Sequence, residues 1–348
     1  MNAYVKRDLY LNRLIVRRDN GQIKVVTGPR RSGKSFLLDP IYKDYLLSKG
    51  VPEDNIIIIS FDIEDEDTPQ ELLDREKLKE YLYSRIASQT ENYYVFLDEI
   101  QEVDGFERIV NGLNKRQNVD VYVTGSNSKF LSSEINTIFR GRSDEVCVLP
   151  FTFREFCQDR QESVNDLWKE YYTYGGLPAL RKMPTAEQKT TYIQKLWKKT
   201  YLDDVVERHN VENREALEAI ADALCSSIGS LTNTTRITNT LGSVRKIKIT
   251  DDTVAKYIGY LEEAFLFNEA RRYNIKGNKY YENIKKYYSI DVGLRNARLN
   301  YRQLEQTHLM ENIIFNELLY RGYVVDVGVV EHRKMVDGKS EYKQYEVD

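Results

Sequence analysis

The sequence predicts an α/β fold whose N-terminal part is built on a buried parallel sheet. Three observations carry this expectation. Five short runs rich in β-branched or aromatic residues punctuate the first part of the chain: Ile23 to Thr27, Asn55 to Phe61, Tyr93 to Leu97, Val119 to Thr124 and Glu145 to Leu149. Helical patterns separate most of them, and near-continuous apolar strands alternating with helices belong in a sheet covered on both faces. A glycine-rich loop joins the first run to the first helical pattern (Phe36, Leu37, Ile41, Tyr45).

Length and charge set the outer bounds. A chain of 348 residues holds roughly two domains, or three small ones, at about 150 residues each. Lysine and arginine total 51, aspartate and glutamate 54, for a net charge of −3. That balance excludes a uniformly basic nucleic-acid coat but leaves room for a local basic patch. With 41% hydrophobic and 30% charged residues, the composition is that of a folded soluble protein. The three cysteines, Cys147, Cys157 and Cys225, are far apart and form no CxxC, which implies neither a disulfide framework nor a zinc cluster. His209, His308 and His332 are equally scattered. No stretch approaches the ~18 apolar residues of a membrane span, and the N-terminus lacks the apolar centre of a signal peptide. A cytoplasmic protein without a membrane partner is expected.

The loop Gly28-Pro29-Arg30-Arg31-Ser32-Gly33-Lys34-Ser35 fits GxxxxGK[ST]. Strand, loop and helix stand in the order that phosphate binding needs. Glycines let successive main-chain N–H groups turn toward one anion, and the helix start adds its dipole there. Lys34 is placed to reach the β and γ phosphates of a nucleotide, and Ser35 to hold Mg²⁺. Pro40, inside the following helix, removes a hydrogen bond and is expected to kink it.

The run Tyr93 to Leu97 ends in Asp98 and Glu99. A parallel strand delivers both carboxylates to the carboxyl edge of the sheet, where ligands bind. Asp98 is expected to hold the magnesium shell and Glu99 to orient the attacking water; the metal makes two acids beside a triphosphate tolerable. A solvated acidic turn is the bland alternative. The next run ends in Thr124, Ser126, Asn127 and Ser128. A polar side chain there can touch the γ-phosphate, Asn127 first and Ser126 second, or belong to an ordinary hydrophilic turn. Arg142, before the fifth run, can reach nucleotide across a subunit boundary, a contribution on the order of 10³–10⁵ in rate. Its alternative is a surface pair with Asp144 or Glu145.

Together, GPRRSGKS, VFLDEIQ, VTGSNS, the Gly141-Arg142 pair and Leu149-Pro150-Phe151-Thr152-Phe153-Arg154-Glu155-Phe156 resemble the prokaryotic AAA-type P-loop ATPases that carry a C-terminal module. Tyr174-Gly175-Gly176-Leu177-Pro178, the segment around Asp291, and Leu309-Met310-Glu311-Asn312 with Asn316-Glu317-Leu318 extend the resemblance over almost the whole chain. It implies ATP binding with Mg²⁺ and an AAA-like sheet of order 5-1-4-3-2. A winged-helix region and a terminal domain like a degenerate restriction endonuclease would follow. Lys34, Ser35, Asp98 and Glu99 match its motifs directly; Asn127 and Arg142 match less closely. In the family the Glu346-Val347-Asp348 segment continues as a strand. Here the sequence ends on it, so either the terminal domain is cut short, which is the expectation, or it is absent.

Residues 213–290 read as a winged helix by themselves. Leu217, Ile220, Ala221 and Leu224 make the apolar stripe of a first helix. A short second helix follows over 231–241. Thr250 caps a third, with Thr253, Val254, Tyr257, Ile258 and Leu261 facing inward. A β-wing spans Arg271 to Lys286. Ten basic and six acidic residues between Leu241 and Lys286 give a local balance of +4, interleaved with Tyr273, Tyr280 and Tyr281. Such a surface suits a phosphate backbone and stacked bases, or else a solvated wing with packing tyrosines. Glu311 and Asp348 are candidate acids of an endonuclease-like metal site, without the strands that nuclease chemistry would need.

The expected organisation is an ATP-binding core over 1–152, a helical lid over 153–205, a winged helix over 206–300 and the start of an endonuclease-like domain over 301–348. The expected activity is Mg²⁺-dependent ATP hydrolysis coupled to movement of the C-terminal module, with DNA and a second copy (through Arg142) as candidate partners. The alternatives are a nucleotide-gated signalling protein with negligible turnover and a nucleic-acid-processing protein.

Overall fold

The apolar runs form the strands their composition predicts: β1 (Ile23–Thr27), β2 (Ile56–Ser60), β3 (Tyr93–Asp98), β4 (Val119–Thr124) and β5 (Ser143–Cys147). The computed structural model describes residues 4–62, 70–125, 138, 139, 141–336 and 339–347. The chain divides into two units, 1–149 and 150–348.

In the first unit the strands lie in the order β2-β3-β4-β1-β5, and every neighbouring pair is parallel. This is the 5-1-4-3-2 arrangement that the resemblance implied. Parallel pairing gathers the carboxyl ends of the strands at one edge, with Thr27 beside Cys147, Ser60 beside Asp98 and Val26 beside Thr124. Val25, Val95, Leu97, Val121 and Val123 are fully buried, each worth ~1.5–3 kcal/mol. They pack with Leu78 and Leu82 of the helix Arg75–Arg85 and with Ile109, Val110 and Leu113 of the helix Phe106–Leu113.

A buried ion pair, Lys24 with Asp120, sits in the same sheet. Asp120 also accepts from the Tyr122 hydroxyl (2.7 Å) and the Asp19 N–H (3.0 Å). These bonds offset the cost of desolvating the charges. After the glycine loop, helical dihedrals begin at Lys34 and break at Asp39 (φ −131°, ψ 114°), the residue before Pro40. The expected kink is there, because proline pushes its predecessor out of the helical region.

The second unit opens with helices at Phe153–Phe156, Val164–Tyr174, Ala186–Lys195 and Asp203–Arg208. Capping boxes Thr152/Glu155 and Thr185/Gln188 fix two of their starts. Helices Arg214–Ser226, Thr234–Thr240 and Asp251–Glu263 follow, then a hairpin of β6 (Phe267–Asn274) and β7 (Lys279–Ser289). Leu217, Ile220, Ala221 and Leu224 are buried as their spacing predicts, and Thr250 caps the third helix by accepting from the Thr253 N–H (3.3 Å). Thr232 bridges to Lys285.

The chain then adds helices Val292–Arg298 and Gln306–Arg321 and strands β8 (Val327–Val336) and β9 (Lys339–Val347). β6 pairs antiparallel with β7 and parallel with β8, and β8 pairs antiparallel with β9. The hairpin and the strands beyond residue 300 therefore share one sheet, β7-β6-β8-β9. The boundary expected near 300 falls between partners in that sheet, and the one near 205 falls inside the helix Asp203–Arg208.

Candidate active site

The glycine loop leaves β1 in a conformation that its sequence permits. Gly28 (φ 133°) and Gly33 (φ 93°) occupy the positive-φ region, as does Arg31 (φ 63°). A β-carbon on Gly28 would overlap the Val148 carbonyl, so only glycine fits between the loop and the end of β5. Pro29 and Ser32 are buried and Arg31 is exposed. Lys34, 5% exposed, donates from Nζ to the carbonyls of Gly28 and Pro29, each at 3.2 Å. Burial pushes its ammonium below the ordinary lysine range, while the Glu99 and Asp98 carboxylates pull it back up.

Asp98 and Glu99 reach the same edge. Asp98 Oδ1 accepts from Thr124 Oγ1 at 2.5 Å, and the nearby Ser35 hydroxyl also favours its charged form. Burial raises the Asp98 carboxyl above its usual value, against those two donors. Glu99 takes a left-handed conformation (φ 52°) that turns the chain off the strand. Its N–H donates to Thr124 Oγ1 at 2.9 Å, and Gln101 Nε2 donates to Glu99 Oε2 at 2.5 Å. Thr124 is fully buried and touches both acidic residues. Of the polar residues closing β4, Thr124 is thus the one seen at the site; Asn127 and Ser126 lie outside the described residues.

The predicted residues Gly28 to Ser35, Asp98 and Glu99 converge on one edge. Arg142 does not join them. Its carbonyl accepts from the Ile23 N–H (2.8 Å) at the start of β1, the opposite edge of the parallel sheet, and its side chain is exposed. The partners proposed for it in the surface reading are engaged elsewhere: Asp144 with Arg17 (2.7 Å) and Glu145 with the Thr27 hydroxyl (2.6 Å). Sequence reasoning missed Arg7 and Gln101. Arg7 is 3% exposed and donates to the Ser32 and Leu149 carbonyls. Nothing in local sequence marks either residue, because each role depends on a partner brought in by the fold.

The residues present suit a magnesium nucleotide. The loop holds two glycines at positive φ, Gly28 and Gly33, the conformation in which successive main-chain N–H groups can face one anion. Among the described residues the buried Ser32 hydroxyl has no hydrogen-bond partner, which leaves a donor inside the loop for an anion. One carboxylate with one hydroxyl nearby, Asp98 with Ser35, is the sparse oxygen set that Mg²⁺ takes from a protein, its other positions going to phosphate and water.

The acids of the second unit are held differently. Glu311 accepts from Lys286 (3.2 Å) and Tyr288 (2.6 Å), and Glu346 lies 3.4 Å from both Lys286 and Arg272. Among the described residues no group of three or more histidine, cysteine, aspartate or glutamate side chains is placed to hold a metal ion.

Comparison with known proteins places the AAA domain family on residues 20–157 and a domain of unknown function, DUF8612, on residues 165–305. An uncharacterized protein of Haemophilus influenzae is 35% identical over 338 residues, covering 96% of this chain and 83% of its own. Uncharacterized protein MJ1544 of Methanocaldococcus jannaschii is 28% identical over 340 residues, covering 94% and 71%. Among solved structures, the Aeropyrum pernix ORC1 protein in complex with DNA matches with a TM-score of 0.35 at 12% identity, covering 92% of this chain and 95% of that one. PCH-2 of C. elegans matches with a TM-score of 0.33 at 13% identity, covering 73% and 65%.

Proposed function

Because the chain belongs to the family of the Haemophilus influenzae protein and has an AAA-type P-loop domain, we propose that it binds ATP with Mg²⁺ and transfers the γ-phosphoryl group to water. The observation that carries this reading is the convergence of Lys34, Ser35, Asp98 and Glu99 beside a positive-φ glycine loop. The main-chain N–H groups of the loop bind phosphate oxygens, and the Lys34 ammonium neutralises them. Ser35 and Asp98 would hold Mg²⁺, which supplies charge neutralisation between the terminal phosphates. Glu99 orients the attacking water and takes up its proton. Thr124 holds the Asp98 carboxylate and the Glu99 main-chain N–H from one hydroxyl, so the Asp98 carboxylate and the turn that carries Glu99 are set before substrate arrives. The test is steady-state hydrolysis with parallel nucleotide binding. Glu99→Gln should lose turnover by roughly 10²–10⁴-fold while binding ATP like wild type; retained turnover would remove Glu99 from that role.

One observation favours the second reading, a nucleotide-gated protein with negligible turnover. Gln101 holds the Glu99 carboxylate at 2.5 Å, which keeps it occupied until a ligand competes. Turnover below the detection limit in wild type, with nucleotide binding intact, would select that reading.

The second unit is read as the responding module. Three helices, the Thr232–Lys285 bridge and the β6–β7 hairpin support a winged helix, and residues 301–348 the start of an endonuclease-like domain. DNA contact is assigned to the hairpin, because the third helix carries Asp251, Asp252, Glu262 and Glu263 against Lys256 alone. The segment Arg271 to Lys279 holds four basic and no acidic residues. The exposed Arg271 lies 4.2 Å over the Tyr280 ring. Binding to duplex DNA that is insensitive to salt would count against phosphate contacts. Arg142 is the candidate for contact with nucleotide in a second copy, and Arg142→Ala should then slow hydrolysis only under conditions where copies assemble. Among the described residues no helix is long and apolar enough to cross a membrane.

A further inference from the structure

Arg7 precedes the first helix, Asp8–Arg17, and is almost completely buried. Its Nη1 donates to the Ser32 carbonyl at 3.1 Å and its Nη2 to the Leu149 carbonyl at 2.7 Å. The guanidinium carbon lies 4.6 Å over the ring of Tyr10, whose hydroxyl accepts the Leu149 N–H at 2.9 Å. A buried arginine bonded to carbonyls of the phosphate loop and of the chain beyond β5 has a consequence for the loop. A trans peptide holds its C=O and N–H on opposite sides. Fixing the Ser32 carbonyl outward, against Arg7, therefore fixes the Gly33 N–H on the other side of the peptide, inward. Were that peptide to rotate, the loop would present a carbonyl oxygen where it must present a donor, and an anion would be repelled instead of bound. This peptide turns about ψ of Ser32 and φ of Gly33, and glycine at 33 (φ 93°) leaves it with little local restraint, so restraint must come from elsewhere in the fold.

We propose that Arg7 is a positioning residue for nucleotide binding: by holding the Ser32 carbonyl, it keeps the Ser32–Gly33 peptide in the orientation that aims an N–H at phosphate. This rests on the ATP-binding reading. It predicts an effect on affinity that other ties between the first helix and β5 do not share. Arg17, on the same helix, pairs with Asp144 at 2.7 Å and donates to the Arg13 carbonyl, with no bond to the loop among the described residues, so Arg17→Gln is the matched control.

The experiment measures Mg·ATPγS binding to the full chain by calorimetry, with melting temperatures taken without nucleotide. Arg7→Gln should weaken binding roughly 10- to 100-fold, the loss of a charge-assisted hydrogen bond, while the turnover rate at saturating ATP stays within several-fold of wild type. Arg7→Lys, which can hold only one carbonyl at a time, should weaken it several-fold, and it decides the question if the glutamine variant does not fold. Arg17→Gln should bind like wild type even where its melting temperature falls. Wild-type affinity in either Arg7 variant, or an equal loss in Arg17→Gln, overturns the proposal. Absence of binding by wild type overturns the nucleotide reading itself, a result distinct from the other two.

Discussion

Both units place a buried lysine against two acids at a sheet, and they settle those charges in opposite ways. At the phosphate loop, Lys34 bonds to two carbonyls of its own loop, and Asp98 is held by the Thr124 hydroxyl with the Ser35 hydroxyl nearby. These partners are neutral, so they orient the charged groups without cancelling them. In the second unit, Lys286 lies between Glu311 and Glu346, and Arg272 adds a second cation against Glu346. That cluster neutralises itself. A site built for a charged ligand holds its ions with dipoles, whereas a structural cluster holds them with counter-ions. The distinction bears on the endonuclease-like reading, because a carboxylate matched to a lysine has little left to offer a metal.

The contrast makes predictions. Lys286→Met should cost about 2–4 kcal/mol of stability by denaturant unfolding and leave nucleotide affinity unchanged. The figure sits on the low side for a broken buried pair because Glu311 and Glu346 keep 26% and 24% of their side-chain surface. Unaltered stability would mean that the cluster is not the clasp described here.

Asp291 tests the second unit through pH. Its carboxylate is buried and accepts the N–H groups of Gly176 (2.7 Å), Gly293 (2.9 Å) and Leu294 (3.1 Å), yet burial dominates and raises the group to about 6. The folded value lies above the ordinary aspartate value, so the native form binds more protons between about pH 4 and pH 6. This group's contribution to stability is complete at the acid end and is lost as pH rises through that window, by about 2–3 kcal/mol. Asp291→Asn should flatten that part of the stability profile; an unchanged profile would place the titration elsewhere. The smallest effect is expected for Thr124→Val, which keeps shape and burial but removes the hydroxyl shared by Asp98 and Glu99. Hydrolysis should fall about tenfold, with the unfolding midpoint moving little.

How much of this could be read from sequence follows from how local each feature is. β1 to β4 were legible because β-branched and aromatic runs bounded by turns have few other ways to bury themselves. The loop was legible because phosphate binding demands glycine, lysine and serine at fixed spacing. β5 begins at Ser143, earlier than its apolar run, since Val148 and Leu149 are buried past the last ladder pair of Thr27 with Cys147. The parallel pairing of β6 with β8 was not legible: Arg272 meets Val327, and no local pattern selects a partner so far along the chain. Arg7 and Thr124 were under-read for the same reason, their partners Leu149 and Glu99 being 142 and 25 residues away.

If the loop and the two acids form one nucleotide site, calorimetric titration of the full chain with Mg·ATPγS, wild type beside Lys34→Ala, reads it out. Wild type should give saturable heat at one site, and Lys34→Ala should lose it. No heat in wild type, or equal binding by both proteins, would contradict it.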